Sequence, residues 1–129
     1  MQSHSYEELE AINAEVNAIP WRHDFSEDWR PASPDFQWMV NGASCHNFAT
    51  GKLVKLVASG WDLKADNIRL ATCKVDADVE NHVVLLVDFA GETHCLDNRY
   101  ERVKLKDMLP YVWVREQIAG TPEWITTGD

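Results

Sequence analysis

The chain has 129 residues, 45% of them hydrophobic and six of them Trp, which suits one folded domain spanning residues 1–129 and not a disordered chain. A formal charge of −9, from 21 acidic against 12 basic residues, repels phosphate backbones and anionic membranes, so no nucleic-acid partner is expected. Met1-Gln2-Ser3-His4-Ser5 lacks the basic start and apolar core of a signal peptide, and no apolar run approaches the roughly 18 residues of a membrane span, so a cytoplasmic protein without a membrane partner is expected.

Ser5 to Ala18 reads as a helix. Ser5 is the N-cap, Glu8 its capping-box partner, and Leu9, Ile12, Val16 and Ile19 fall on one face before Pro20 ends the run. Trp21 to Pro34 shows no period and reads as a loop pinned by Trp21, Phe25 and Trp29. Ser33-Pro34-Asp35 starts a second, short helix that Gly42 stops. Ser44 then caps a third helix, from Cys45 to about Ala58, with Phe48, Ala49, Leu53, Leu56 and Val57 as its apolar stripe and Lys52 and Lys55 on the exposed face. Strands follow at Ile68 to Val75, His82 to Phe89 and Thr93 to Arg99, the last two joined as a hairpin through Ala90-Gly91. Val103 to Val114 is apolar but interrupted by Pro110, a fourth strand or an edge, and the last residues read as a tail.

Three cysteines, an odd number without C-x-x-C spacing, argue against a disulfide framework and a structural zinc site, and no cofactor or metal is expected. Cys73 and Cys95 read as small buried hydrophobes. Cys45 differs because it begins a helix, where unpaired N–H groups and the positive dipole end favour a thiolate and could hold an oxyanion. Its base must come from elsewhere in the chain, and His82 is the histidine that opens a strongly apolar strand. A two-residue turn at Ala90-Gly91 sets Phe89 opposite Glu92 and Val84 opposite Asp97, which makes His82 and Asp97 diagonal neighbours on one face. An odd-length turn would send them to opposite faces. A carboxylate so placed fixes the tautomer of the ring and favours its protonated form beside a thiolate. Singly, each residue has a bland alternative: a structural Cys, a surface or core His, a turn-forming Asp.

The order of these elements resembles the bacterial transglutaminase-like cysteine proteinases, whose best-known members are periplasmic proteases that release surface adhesins. The resemblance spans roughly residues 9 to 105 and rests on Val16-Asn17, the Trp-containing loop, the Pro-started helix leading through Gly to Cys45, Asn81-His82-Val83-Val84-Leu85-Leu86-Val87, and Leu96-Asp97-Asn98. It implies an α+β papain/transglutaminase-like fold, N-terminal helices with the nucleophile helix packed on an antiparallel sheet, and a catalytic triad of Cys45, His82 and Asp97. The family commonly carries Asp-Cys-Glu-Asp at the nucleophile, and some members bind calcium there. This chain has Ser44-Cys45-His46-Asn47, so calcium independence is expected. His46 should diverge from Cys45 by about 100° around the helix and is not the expected base. Asn98 supports the hairpin or bonds its own backbone, and Trp21, Trp29 and Trp38 line a groove or pack in the core. The expected chemistry is acyl transfer from a protein or peptide substrate through a thioacyl intermediate, with peptide hydrolysis ahead of isopeptide cleavage and of amine transfer. A catalytically silent binding or assembly module is the alternative, and no oligomeric state follows.

Overall fold

A computed structural model describes residues 4–18, 45–76, 78 and 80–127. The Trp-containing loop, the short helix begun at Pro34 and Trp21, Trp29, Trp38 and Ser44 lie outside the described residues. Helices α1 (Tyr6–Asn17) and α2 (Cys45–Ala58) pack on a six-stranded sheet of β1 (Arg69–Lys74), β2 (His82–Phe89), β3 (Glu92–Leu96), β4 (Lys104–Leu105), β5 (Val112–Gln117) and β6 (Trp124–Thr126). The spatial order is β4-β3-β2-β1-β5-β6 and every neighbouring pair is antiparallel. This is the α+β arrangement expected from the sequence.

The start of α1 follows from its cap. Ser5 Oγ accepts from Glu8 N at 3.4 Å while Glu8 Oε1 accepts from Ser5 N at 3.1 Å, so two otherwise orphaned N–H groups are satisfied. Leu9, Ile12 and Val16 turn inward as their spacing requires. On α2, Phe48, Ala49 and Leu56 are buried, but two assignments need correction: Lys52 is fully buried and Val57 is 42% exposed. The buried face runs through positions 45, 49, 52 and 56, so helical geometry puts residue 52 at its centre whatever its polarity. Lys55 reaches across to Glu15 of α1 at 3.1 Å.

β2 is covered on both sides, which is why Val83 to Val87 forms an unbroken apolar run. One face packs Val83, Leu85 and Val87 with Leu9, Ile12, Ala49 and Leu56 of the helices, and the other packs Val84 and Leu86 with Cys73, Cys95, Leu109 and Tyr111. The β2–β3 ladder runs from Phe89↔Glu92 to Leu85↔Leu96, the expected register. The third strand nevertheless stops at Leu96 rather than Arg99, because Asp97 and the following turn leave the ladder. Val103 to Val114 is two strands, not one. A 3-10 turn over Lys106–Met108 and Pro110 carries the chain from β4 at one edge to β5 beside β1. The expected tail also pairs: β6 lies on β5, with Arg115↔Thr126 and Gln117↔Trp124. Three residues with no alternation leave too little pattern to mark such a strand.

At the hairpin tip Ala90 (φ 54°) and Gly91 (φ 80°) both adopt left-handed backbone, the two-residue turn that matches strand twist. Gly91 is at ease there, whereas Ala90 carries the steric penalty of a Cβ. Ala90→Gly or Ala90→Asn is therefore expected to stabilise the fold by about 0.5–1 kcal/mol, read as a higher denaturant midpoint with an unchanged slope.

Candidate active site

Asn81 sets the start of β2. Its Oδ1 accepts from Val75 N at 2.8 Å and its Nδ2 donates to Val75 O at 2.9 Å, tying the β1–β2 connection on both sides and fixing where His82 enters the sheet. The His82 ring, 5% exposed, bonds through Nε2 to Asp97 Oδ1 at 2.7 Å. Asp97 is fully buried. Its Oδ1 also accepts from Arg99 N at 2.9 Å, a turn closed by its own side chain. Its Oδ2 accepts a short hydrogen bond from the Tyr111 hydroxyl. Burial alone would raise the Asp97 carboxyl, but His82, Tyr111 and the Arg99 N–H outweigh it and hold the group below the usual carboxylate range.

Cys45, the first residue of α2, is 5% exposed and lies near enough to the His82 ring for each to shift the other's titration. Since Nε2 faces Asp97, Nδ1 is the ring atom left for sulfur. Burial pushes the Cys45 thiol up. Hydrogen bonds to His46 and His82, the charge of His82 and the Val83 N–H overcome that and bring it to about 6. Burial pushes His82 down, but Asp97 and the sulfur together raise it to about 9. The structure thus brings His82 and Asp97 into direct contact, with Cys45 close enough for its thiol and the His82 ring to influence each other. Cys73 and Cys95 are fully buried, and burial drives both thiols up, away from reactivity.

Other residues complete the arrangement. His46 is buried with Nδ1 3.8 Å from Cys45 Sγ, so its ring reaches the sulfur although the two residues diverge by about 100° around the helix. Asn17 of the Val16-Asn17 pair donates from Nδ2 to Asp97 O at 3.0 Å and Tyr100 O at 3.1 Å, and Asn13 Nδ2 donates to Tyr100 O and Glu101 O, both at 3.3 Å. Helix α1 therefore grips the loop that carries Asp97. Tyr111, inside the apolar stretch that Pro110 interrupts, packs edge-on against His82 with ring centroids 5.7 Å apart at 81°. The signal available was weak: a tyrosine in an apolar run needs a hydrogen-bond partner, but nothing local names it.

The whole chain, residues 1–129, matches the family model described as bacterial transglutaminase-like cysteine proteinase BTLCP. The chain belongs to this family. It is accordingly a cysteine peptidase by class. Among solved structures it is similar to LapG of Legionella pneumophila, at 21% identity and a TM-score of 0.77, covering 99% of this chain and 73% of that one. It is also similar to calcium-bound LapG, at 19% identity and a TM-score of 0.74 over 94% and 68% of the two chains, and to EGTA-treated LapG, at 17% and 0.72 over 98% and 74%. These likenesses confirm the transglutaminase-like fold of the family. Comparison with curated proteins finds no match.

Tyr111→Phe should keep the ring packing of this family member and leave Asp97 Oδ2 with one donor fewer inside the protein. The expected cost is about 1–3 kcal/mol of unfolding free energy, measured by urea titration at neutral pH.

Proposed function

We propose that Cys45, His82 and Asp97 are the nucleophile, the general acid–base and the orienting acid of this cysteine peptidase. The supporting observation is the anchoring of the buried His82 ring: its Nε2 bonds to Asp97 Oδ1 at 2.7 Å, which leaves the other ring nitrogen for the nearby Cys45 sulfur. The thiolate attacks an amide carbonyl, and the electron pair displaced onto oxygen is met by N–H groups at the start of α2. The His82 imidazolium gives its proton to the leaving amine as the C–N bond breaks, which leaves a thioacyl enzyme. His82, now neutral, takes a proton from water, and the hydroxide releases the acid and restores the thiol pair. Asp97 keeps the ring in one tautomer throughout. A protein substrate follows from the family, and cleavage of its peptide bonds is the reaction we favour over isopeptide cleavage or transfer to an amine.

We further propose that calcium is not required. The residues that follow Cys45 are His46 and Asn47, both buried, which offer one amide oxygen and no carboxylate where calcium prefers several hard oxygens including carboxylates. Among the described residues no cluster of three or more His, Cys, Asp or Glu is built to hold a metal. The donor set does not fit the ion. Peptidase activity should be unchanged, within about twofold, by excess EGTA, and added calcium should leave the melting temperature where it was.

The triad assignment is tested by alkylating the native protein between about pH 5 and 9. Thiolate forms as pH rises through about 6, and the imidazolium persists until about 9, so selective Cys45 labelling should reach its plateau between those values. Cys45→Ala should abolish turnover, and His82→Ala should move labelling toward the ordinary thiol range near ~8.5. Uniform labelling of all three cysteines, or a Cys45 that reacts only above pH 8, would refute the assignment.

A further inference from the structure

The catalytic cycle set out above uses one histidine, yet a second imidazole touches the same sulfur. His46 follows the nucleophile on α2, and its Nδ1 lies 3.8 Å from Cys45 Sγ. His46 is 1% exposed and Cys45 5%, so water has little access to the contact, and a polar pair shielded in this way is costly to leave unmade. The turn that carries the ring is itself tied down, because Thr50 Oγ1 donates to His46 O at 2.6 Å.

Which partner donates follows from where the thiol proton goes. His82 has Asp97 against its Nε2 at 2.7 Å, and that carboxylate stabilises the imidazolium, so His82 is the better home for the proton. The sulfur then meets His46 as an anion with no hydrogen to give, and it can only accept. A hydrogen on Nδ1 meets that need whether the ring as a whole is neutral or charged.

We propose that His46 is a further functional side chain of the site, an N–H donor that holds the Cys45 thiolate through Nδ1 and takes no proton from it. This rests on the triad reading above and divides the work between two histidines: His82 moves the proton, and His46 stabilises the charge left behind. The bond is strongest when sulfur carries its full charge, in the resting ion pair and again when the thioacyl C–S bond breaks and sulfur departs with the electron pair. It weakens as the S–C bond forms, so His46 favours a well-populated thiolate and a good leaving group over raw nucleophilicity. Its effect on the thiol joins those of His82 and the Val83 N–H. The titratable groups around the pair among the described residues are His82 of β2 with Asp97 behind it, Cys73 of β1, which burial keeps neutral, and Glu80, paired with Arg115.

The test crosses side-chain bulk with hydrogen bonding. His46→Leu keeps the bulk and removes the donor, whereas His46→Asn gives up bulk and keeps an N–H the same number of bonds from the backbone. The readout is thiolate ultraviolet absorbance against pH, each protein being compared with its own Cys45→Ala counterpart. The wild-type midpoint near 6 should rise by about one pH unit in His46→Leu and return close to its original place in His46→Asn. A histidine kept for packing alone gives the reverse order, with Leu silent and Asn disturbed. If His46→Leu does not fold, nitrogen-15 NMR of the wild-type imidazoles near neutral pH decides, because Nδ1 of His46 has to carry hydrogen. A bare Nδ1, or coincident midpoints for His46→Leu and wild type, overturns the proposal and leaves the triad reading standing. A wild-type protein with no Cys45 thiolate below about pH 8 sinks the triad reading and this proposal together.

Discussion

A carboxylate with no access to water must be given its hydrogen bonds by the protein, and the site is organised around meeting that demand for Asp97. His82, Tyr111 and the Arg99 N–H come from β2, from the approach to β5 and from the turn after β3. Three separate stretches of chain are thereby drawn to one side chain. Because each donor needs the carboxylate charged, the group remains an acceptor, and the ring on the other side is biased toward imidazolium. The state of the sulfur follows from that bias.

The three cysteines show how much environment decides. All are buried and chemically identical, yet Cys73 and Cys95 sit among strand side chains where burial dominates, while Cys45 meets a helix start, two imidazoles and a backbone N–H. The doubly covered strand β2 is the rigid element that makes this possible, since its apolar run locks the ladder and holds the first residue, His82, against α2. Family membership makes the chain a cysteine peptidase by class, and the likeness to LapG extends to the fold.

What could be read from residues alone was whatever depends on short-range rules. Ser5 and Glu8 announced their cap, the Ala90-Gly91 turn fixed parity, and that parity brought His82 and Asp97 to one side. Failures share a cause: they required knowing what lies across the fold. Lys52 reads as solvent-facing because polarity usually means exposure, although its helical position puts it inward. Tyr111 carries no local signal because its partner is distant in sequence, and β6 none because three residues show no period. The interval from Val103 to Val114 misled by its continuity, where a short turn splits one apolar stretch between opposite sides of the sheet.

Helix α1 contributes no reacting atom, yet Asn13 and Asn17 clasp the carbonyls of residues 97, 100 and 101. A fragment beginning after Asn17 would retain the thiol, the imidazole and the acid and still lose the clamp that sets the height of the acid. On the proposed assignment the minimal working unit is thus larger than the span from Cys45 to Asp97, and the amino-terminal helix serves as a brace rather than as packaging.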